Sequence, residues 1–179
     1  FAGPVGHRVV ASSPDGTVMA VAGADRSILI YDASGEALRE VGSVAAPGAE
    51  GDIVFALAFS PDGRTLAAGG TAGTVRLVDV SDPRAPVTGP EAVTDGTVYA
   101  LAWSGGSVLL AGTQNPDVLR WRREEDTLAP LPPLATGSAV IALATRESTV
   151  AAGDEGGGVT TWAVDGDAAA ETGRASVGA

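Results

Sequence analysis

The stretch FALAFS sets Phe55, Leu57 and Phe59 against Ala56, Ala58 and Ser60. Alternation with period two predicts a β-strand with one large-residue face. Ser60-Pro61-Asp62-Gly63 follows. Ser first, Pro second and Gly fourth suit a type I turn, because Pro presets φ and the Ser side chain can bond the backbone. A second apolar run, TLAAG, leads to a Gly-containing tight turn and a third run, TVRLVD.

The same order recurs. Aligned copies of LAAGGTAGTVRLVD begin at Met19, Leu66, Leu109 and Val150, and HRVVASS, VFALAFS, VYALAWS and VIALATR precede them. One aromatic or apolar position falls at Tyr31, Val78, Trp121 and Trp162, with spacings of 47, 43 and 41 residues. The Ser-Pro-Asp-Gly turn appears also as Ser13-Pro14-Asp15-Gly16. It shrinks to Ser104-Gly105-Gly106 in the third copy and becomes Thr145-Arg146-Glu147-Ser148 in the fourth. Weaker Pro-bearing segments, EALREV, APVTGP, TLAPLP and AAAETG, are candidates for a fourth strand in each copy. A near-constant period of this length marks a repeat architecture.

A lone small sheet with Ala and Val on both faces cannot hide them, so each sheet needs a neighbour on either side. Ala and Gly allow close approach, while Trp and Tyr of the third strand fill the wider gap. Twisted sheets packed radially satisfy this and leave short outer edges, where Pro breaks no ladder. The expected fold class is all-β, a β-propeller of four-stranded antiparallel blades. Residues 1–179 form one propeller segment, with blades at about 5–44, 52–90, 97–134 and 138–176.

Phe59 through Asp79 resemble the WD-repeat (Trp-Asp repeat) family pattern closely, and the resemblance extends over nearly the whole chain. Tyr31-Asp32 and Val78-Asp79 stand at the namesake dipeptide, while Trp121-Arg122 and Trp162-Ala163 keep Trp and lose Asp. The Gly-His pair that opens such repeats is missing from copies two to four, and Gly6-His7 sits out of register. The turn Asp that bonds this His aligns with Asp25, Ala72, Asn115 and Gly156, so it survives once. The family's buried polar network is therefore expected to be mostly absent, with stability resting on apolar packing. The resemblance also implies rings of about seven blades, so four blades should belong to a larger ring of seven or eight. The remaining blades lie either in the same polypeptide or in a second chain that completes an eight-blade ring; a closed four-blade ring would force tighter angles. Each open end would expose an apolar face of roughly several hundred Å².

Composition narrows the function. The eleven basic residues are all Arg, and with the Ala, Gly and Val richness this reads as a GC-rich bacterial, actinobacterial, source. The chain starts at Phe1, which suggests an excised or processed segment. A formal charge of −11 argues against nucleic acid, which needs clustered cations, and against anionic lipid. No apolar run is long enough to span a membrane. With no Cys there are no disulfides or thiolate metal sites, though this does not fix the compartment; the expected location is cytoplasmic.

Catalytic chemistry is poorly supported. His7 is the only histidine, and a structural role outweighs a general-base one. No nucleophile elbow is present. The glycine-rich run Gly153–Gly158 aligns with the strand-joining turns and lacks the lysine of a phosphate loop. Asp165-Gly166-Asp167 is a fragment of a Ca²⁺ loop at most. Trp103, Trp121 and Trp162 read as core. Arg120-Trp121-Arg122-Arg123, followed by Glu124, Glu125 and Asp126, reads as a solvated charge reversal after a strand, with docking as the alternative. The expectation is no catalytic set, no cofactor and no metal.

In a propeller, the turns between second and third strands share one end with the connections between blades. Here that end carries Asp25, Arg26, Glu50, Asp52, Glu91, Asp95, Asn115, Asp154 and Glu155. The set is mostly acidic, so this face is expected to bind a basic segment of a protein partner; individually, each residue reads equally well as solubilising. The resemblance implies a non-enzymatic scaffold for protein–protein interaction, the propeller part of a larger bacterial signalling or regulatory protein. The alternatives are a self-assembling module that makes an eight-blade ring from two chains and, further off, a metal-dependent propeller hydrolase.

Overall fold

The structure, a computed structural model, describes residues 7–23 and 27–176. Among the described residues sixteen strands form four antiparallel sheets of four, each in sequence order. The first sheet holds β1 (His7–Ser12), β2 (Val18–Gly23), β3 (Ser27–Asp32) and β4 (Arg39–Ala45). The second holds β5 (Val54–Phe59), β6 (Thr65–Gly70), β7 (Thr74–Asp79) and β8 (Val87–Val93). The third holds β9 (Val98–Ser104), β10 (Val108–Thr113), β11 (Asp117–Arg123) and β12 (Leu128–Ala135). The fourth holds β13 (Val140–Arg146), β14 (Thr149–Asp154), β15 (Gly158–Asp165) and β16 (Ala168–Ser176). The first strands lie side by side, β1 against β5, β5 against β9 and β9 against β13, while the outermost strands barely meet. Sheets that are close at one edge and splayed at the other radiate from a common axis, as blades do. No comparable contact joins β13 back to β1 among the described residues.

Three apolar layers fill the gaps between blades. Ala20, Ala22, Ile28 and Ile30 of the first sheet meet Leu57, Phe59, Leu66 and Val78 of the second. Ala56, Ala67, Val75 and Leu77 of the second meet Trp103, Leu109 and Trp121 of the third. Ala102, Leu110 and Val118 of the third meet Val150, Trp162 and Val164 of the fourth. Trp103, Trp121 and Trp162 are buried, each on the face that looks back at the preceding sheet. The Trp103 indole also donates to the Ala58 carbonyl of that sheet, at 3.1 Å. Close approach depends on glycine at one repeated place. A Cβ on Gly69 would lie 2.9 Å from a Val98 methyl carbon, and one on Gly112 would lie 2.7 Å from a methyl carbon of Val140.

The Ser-Pro-Asp-Gly turns form as expected. Gly16 and Gly63, at φ 74° and 71°, donate to the Ser13 and Ser60 carbonyls at 2.9 Å. Ser13 and Ser60 also donate through Oγ to Asp15 and Asp62 at 2.5 Å, and they accept the Val18 and Thr65 amides at 3.0 Å.

Three features differ from the sequence expectation. The fourth strands of the first two blades start later than EALREV and APVTGP. Asp32 accepts the Ser34 amide, and Asp79 the Ser81 amide, so the chain first spends several residues turning. The alternation of FALAFS also breaks at its first residue. Val54 pairs with Gly70 and Ala56 with Gly69, so Phe55 is the extra residue of a β-bulge and leaves the face of Leu57 and Phe59. Arg120 to Arg123, finally, belong to β11 and not to a solvated loop, and Arg120 is buried.

Candidate functional site

Because every sheet runs in sequence order, the β6–β7, β10–β11 and β14–β15 turns share one end with the connections between blades. This connector face is fastened by a repeated pattern. The amides of Thr71, Gln114 and Glu155 donate to the carbonyls of Ile53, Thr97 and Ala139 at 3.0, 3.1 and 2.8 Å. The Thr94 and Thr136 amides donate to Gly73 and Pro116 at 2.8 and 3.0 Å. The turns of the second, third and fourth blades are thus tied to the segment entering their own sheet and, in the second and third blades, to the segment leaving it, which makes a fixed platform.

The nine residues expected on this face divide into groups. Asp25 and Arg26 fall outside the described residues, as does the His7 side chain. Asp52 accepts the Ala49 amide at 2.7 Å and the Thr71 hydroxyl at 3.0 Å. Asp154 is buried and accepts the Gly158 amide at 2.8 Å, which holds its carboxyl below the usual aspartate range against the opposing effect of desolvation. Glu91 pairs with Arg76. Asn115 donates to the Asp95 carbonyl at 2.7 Å. Those four side chains hold the face together. Glu50, Asp95 and Glu155 are exposed, and their carboxylates have no partner among the described residues. Residue type and position put all nine on one list; only hydrogen bonding separates the two kinds.

At the rim nearest the axis lie residues that the alternation placed wrongly. The bulge at Phe55 recurs at Tyr99, between Ala100 and Val98, and at Ile141, between Val140 and Ala142. Tyr99 is 38% exposed and Ile141 51%. The Phe55 and Tyr99 rings stack with centroids 6.4 Å apart and planes at 28°. The signal was present as a buried Val followed by a large residue and then Ala, at 54–56, 98–100 and 140–142.

Arginine joins blade to blade, and the sequence did not disclose it. Arg76 donates to the Ala45 and Ala46 carbonyls at 3.1 and 2.9 Å, and Arg123 donates to the Thr65 hydroxyl at 2.5 Å. Arg120 reaches Pro132 in its own sheet and Asp167 in the fourth, at 2.8 and 3.0 Å. Arg122 pairs with Asp167, and Arg174 reaches the Ala135 carbonyl at 3.2 Å. Polar ties between blades therefore exist, made among the described residues by arginine and by the Trp103 indole.

Open clefts lie at the opposite end. One of about 780 Å³ lies between the third and fourth sheets, with Trp103, Ser104, Thr145, Glu147 and Asp165 on its walls. Another of about 670 Å³ lies between the second and third sheets, with Asp62, Arg64, Asp79 and Arg123. Asp62 is engaged by Ser60, and Asp79 by Ser81. Among the described residues no three His, Asp or Glu side chains gather as a metal site would require.

The profile described as "WD domain, G-beta repeat" matches residues 4–32 and 42–79. Among solved structures, the chain is similar to "Structure of U3-55K" with a TM-score of 0.79 and 18% identity, over 96% of this chain and 53% of that one. It is similar to "Crystal structure of RRP9 WD40 repeats" with the same score and identity, over 96% of this chain and 52% of that one. The chain thus spans about half the length of the structures it matches. At this identity the likeness concerns the fold, and the four sheets are β-propeller blades. No curated protein matches the sequence significantly.

Proposed function

We propose that this chain is a non-catalytic scaffold whose connector face holds a basic segment of another protein, and that it is the propeller part of a larger bacterial signalling or regulatory protein of the cytoplasm. The carrying observation is the pairing of a fixed platform with free charge. Glu50, Asp95 and Glu155 project from a face whose turns are tied down by backbone bonds. Preorganised charge steers and orients a cationic partner without an ordering cost. The hydrolase alternative finds little support, since Asp52 and Asp154, the most enclosed acids of the face among the described residues, are occupied by backbone donors. The test is binding of a labelled Arg-rich peptide across a salt series. Affinity should fall about tenfold or more from low to physiological ionic strength, and charge reversal at Glu50, Asp95 and Glu155 together should abolish it. Affinity indifferent to salt rejects the reading.

A second reading has its own observation. Val75 and Val118 are fully buried, whereas the equivalent Val159 of the last blade is 38% exposed. Among the described residues no sheet covers that face, which suits another blade, supplied by the rest of a longer polypeptide or by a second chain in an eight-blade ring. Light scattering on residues 1–179 separates the two, because a monodisperse monomer removes the second-chain form.

A further inference from the structure

The recurring bulge places large apolar side chains where a core sheet has no use for them. Val54, Val98 and Val140, one residue earlier, are at most 2% exposed, and each packs in a layer between blades. The next residue leaves the ladder, and the three sheets place Phe55, Tyr99 and Ile141 there. A bulge re-aims one side chain without disturbing the register beyond it. β5, β9 and β13 are adjacent, so the three residues form a row across the axial edge of the blades. Their exposure rises along it, from half-buried Phe55 through Tyr99 at 38% to Ile141 at 51%. Contiguous exposed apolar groups with a polar rim mark an interaction surface. The rim is acidic: Glu50 precedes Phe55 by five residues, and Asp95 precedes Tyr99 by four, on the connectors that enter those strands.

We propose that Phe55, Tyr99 and Ile141 form an anchoring surface for a polypeptide segment in which one aromatic side chain is flanked by arginines or lysines. The aromatic group packs on the row, and the flanking cations meet Glu50 and Asp95. The net charge of −11 sets the partner's sign. The apolar row demands more than charge, which separates this surface from generic attraction of cations. The inference rests on the connector face being a protein-binding face, and it names the determinant that such a partner must carry.

Three labelled pentapeptides test it: Arg-Arg-Trp-Arg-Arg, Arg-Arg-Gly-Arg-Arg and Glu-Glu-Trp-Glu-Glu. The first should bind about tenfold more tightly than either of the others. Tyr99→Ser and Ile141→Ser should each erase most of that preference while leaving the melting temperature unchanged, since both side chains are substantially exposed. Two separate variants guard against one of them failing to fold. If the Gly peptide binds as well as the Trp peptide, or both variants keep the preference, the row is not the anchor, although the acidic-face reading stands. If the Glu peptide binds as well as the Arg peptide, the basic character of the partner is wrong. Binding of none of the three rejects the inference together with the reading beneath it.

Discussion

The second and fourth blades follow the same local pattern and meet different fates. Every residue of β6 is buried, whereas β14 alternates between buried Val150, Ala152 and Asp154 and more exposed neighbours. β16 is exposed along its whole length. Among the described residues the second blade has a sheet on each side, and the fourth has one only on its Trp162 side. The first blade mirrors this: Ala20 and Ala22 are buried, while Met19 and Val21 on the other face are partly open. Apolar residues on both faces are a property of the repeat, and burial is a property of the neighbour. In such arrays stability is a sum of repeat and interface terms, so the fourth blade should be the first of the two to open.

Removal of the largest side chain that the fourth blade puts into its apolar layer gives the largest effect. Trp162→Ala should cost about 3–5 kcal/mol, and hydrogen exchange should show β13–β16 opening while β5–β8 stay protected. Uniform loss of protection across both blades would mean that the sheets unfold as one unit and that the comparison has no energetic content.

Glycine offers a sharper version. Gly69, Gly112 and Gly153 occupy equivalent places, and a Cβ on Gly112 would lie 2.7 Å from the Val140 side chain and 2.8 Å from its carbonyl oxygen. On Gly153 the nearest atom is the Ala142 Cβ of its own sheet, at 3.7 Å. Gly112→Ala should destabilise by about 1–3 kcal/mol through overpacking. Gly153→Ala should be neutral, or stabilise by about 0.5 kcal/mol through the unfolded chain. In a longer polypeptide that supplies a fifth blade, Gly153→Ala should turn costly as well, so thermal melts of the pair in both lengths report whether that face is filled.

The connector ends contrast chemically. Gly70 of the second blade corresponds to Asp154 of the fourth, and a carboxylate does there what the Asp52–Thr71 pair does in the second. The Gly158 amide is the main cause of the lowered Asp154 pKa. A lowered folded pKa means stability that is fully present above the ordinary aspartate range near ~4 and lost as pH falls from there through the folded value. Asp154→Asn should therefore lower the melting temperature at neutral pH, and the gap from the wild type should close as the pH drops through that window. A gap that stays constant with pH would assign the loss to packing.

How much of this was legible follows from the period of each signal. Strand alternation and the two Ser-Pro-Asp-Gly turns repeat locally, so they showed sixteen strands and the way to group them. The bulge at Phe55, Tyr99 and Ile141 was not legible in any strand read alone, because one extra residue in a ladder leaves its mark only as a triplet shared between copies, at 54–56, 98–100 and 140–142. Nor were the arginine ties, since an Arg on a strand looks solvated until the carbonyls of another blade are brought to it. Asp52 and Asp154 could not be told from Glu50 and Asp95 for the same reason: what separates them is the backbone amides that the turns aim at them.

The smallest effect concerns the hairpins at the other end. In the second blade the β5–β6 turn gives its left-handed position to Gly63, at φ 71°. In the fourth, Glu147 takes such a conformation at φ 52°, the one non-glycine residue to do so among those described. A left-handed conformation costs an L-residue roughly 1–2 kcal/mol, and glycine's extra unfolded-state freedom takes back about half. Glu147→Gly should therefore stabilise by about 0.5–1 kcal/mol, and it should slow exchange at Arg146 and Thr149, which pair across the turn. The added stability should appear only in the fourth blade's exchange if that blade opens independently. Appearance of the same gain in β5–β8 would show that the two blades, for all their difference in burial, share one cooperative unit.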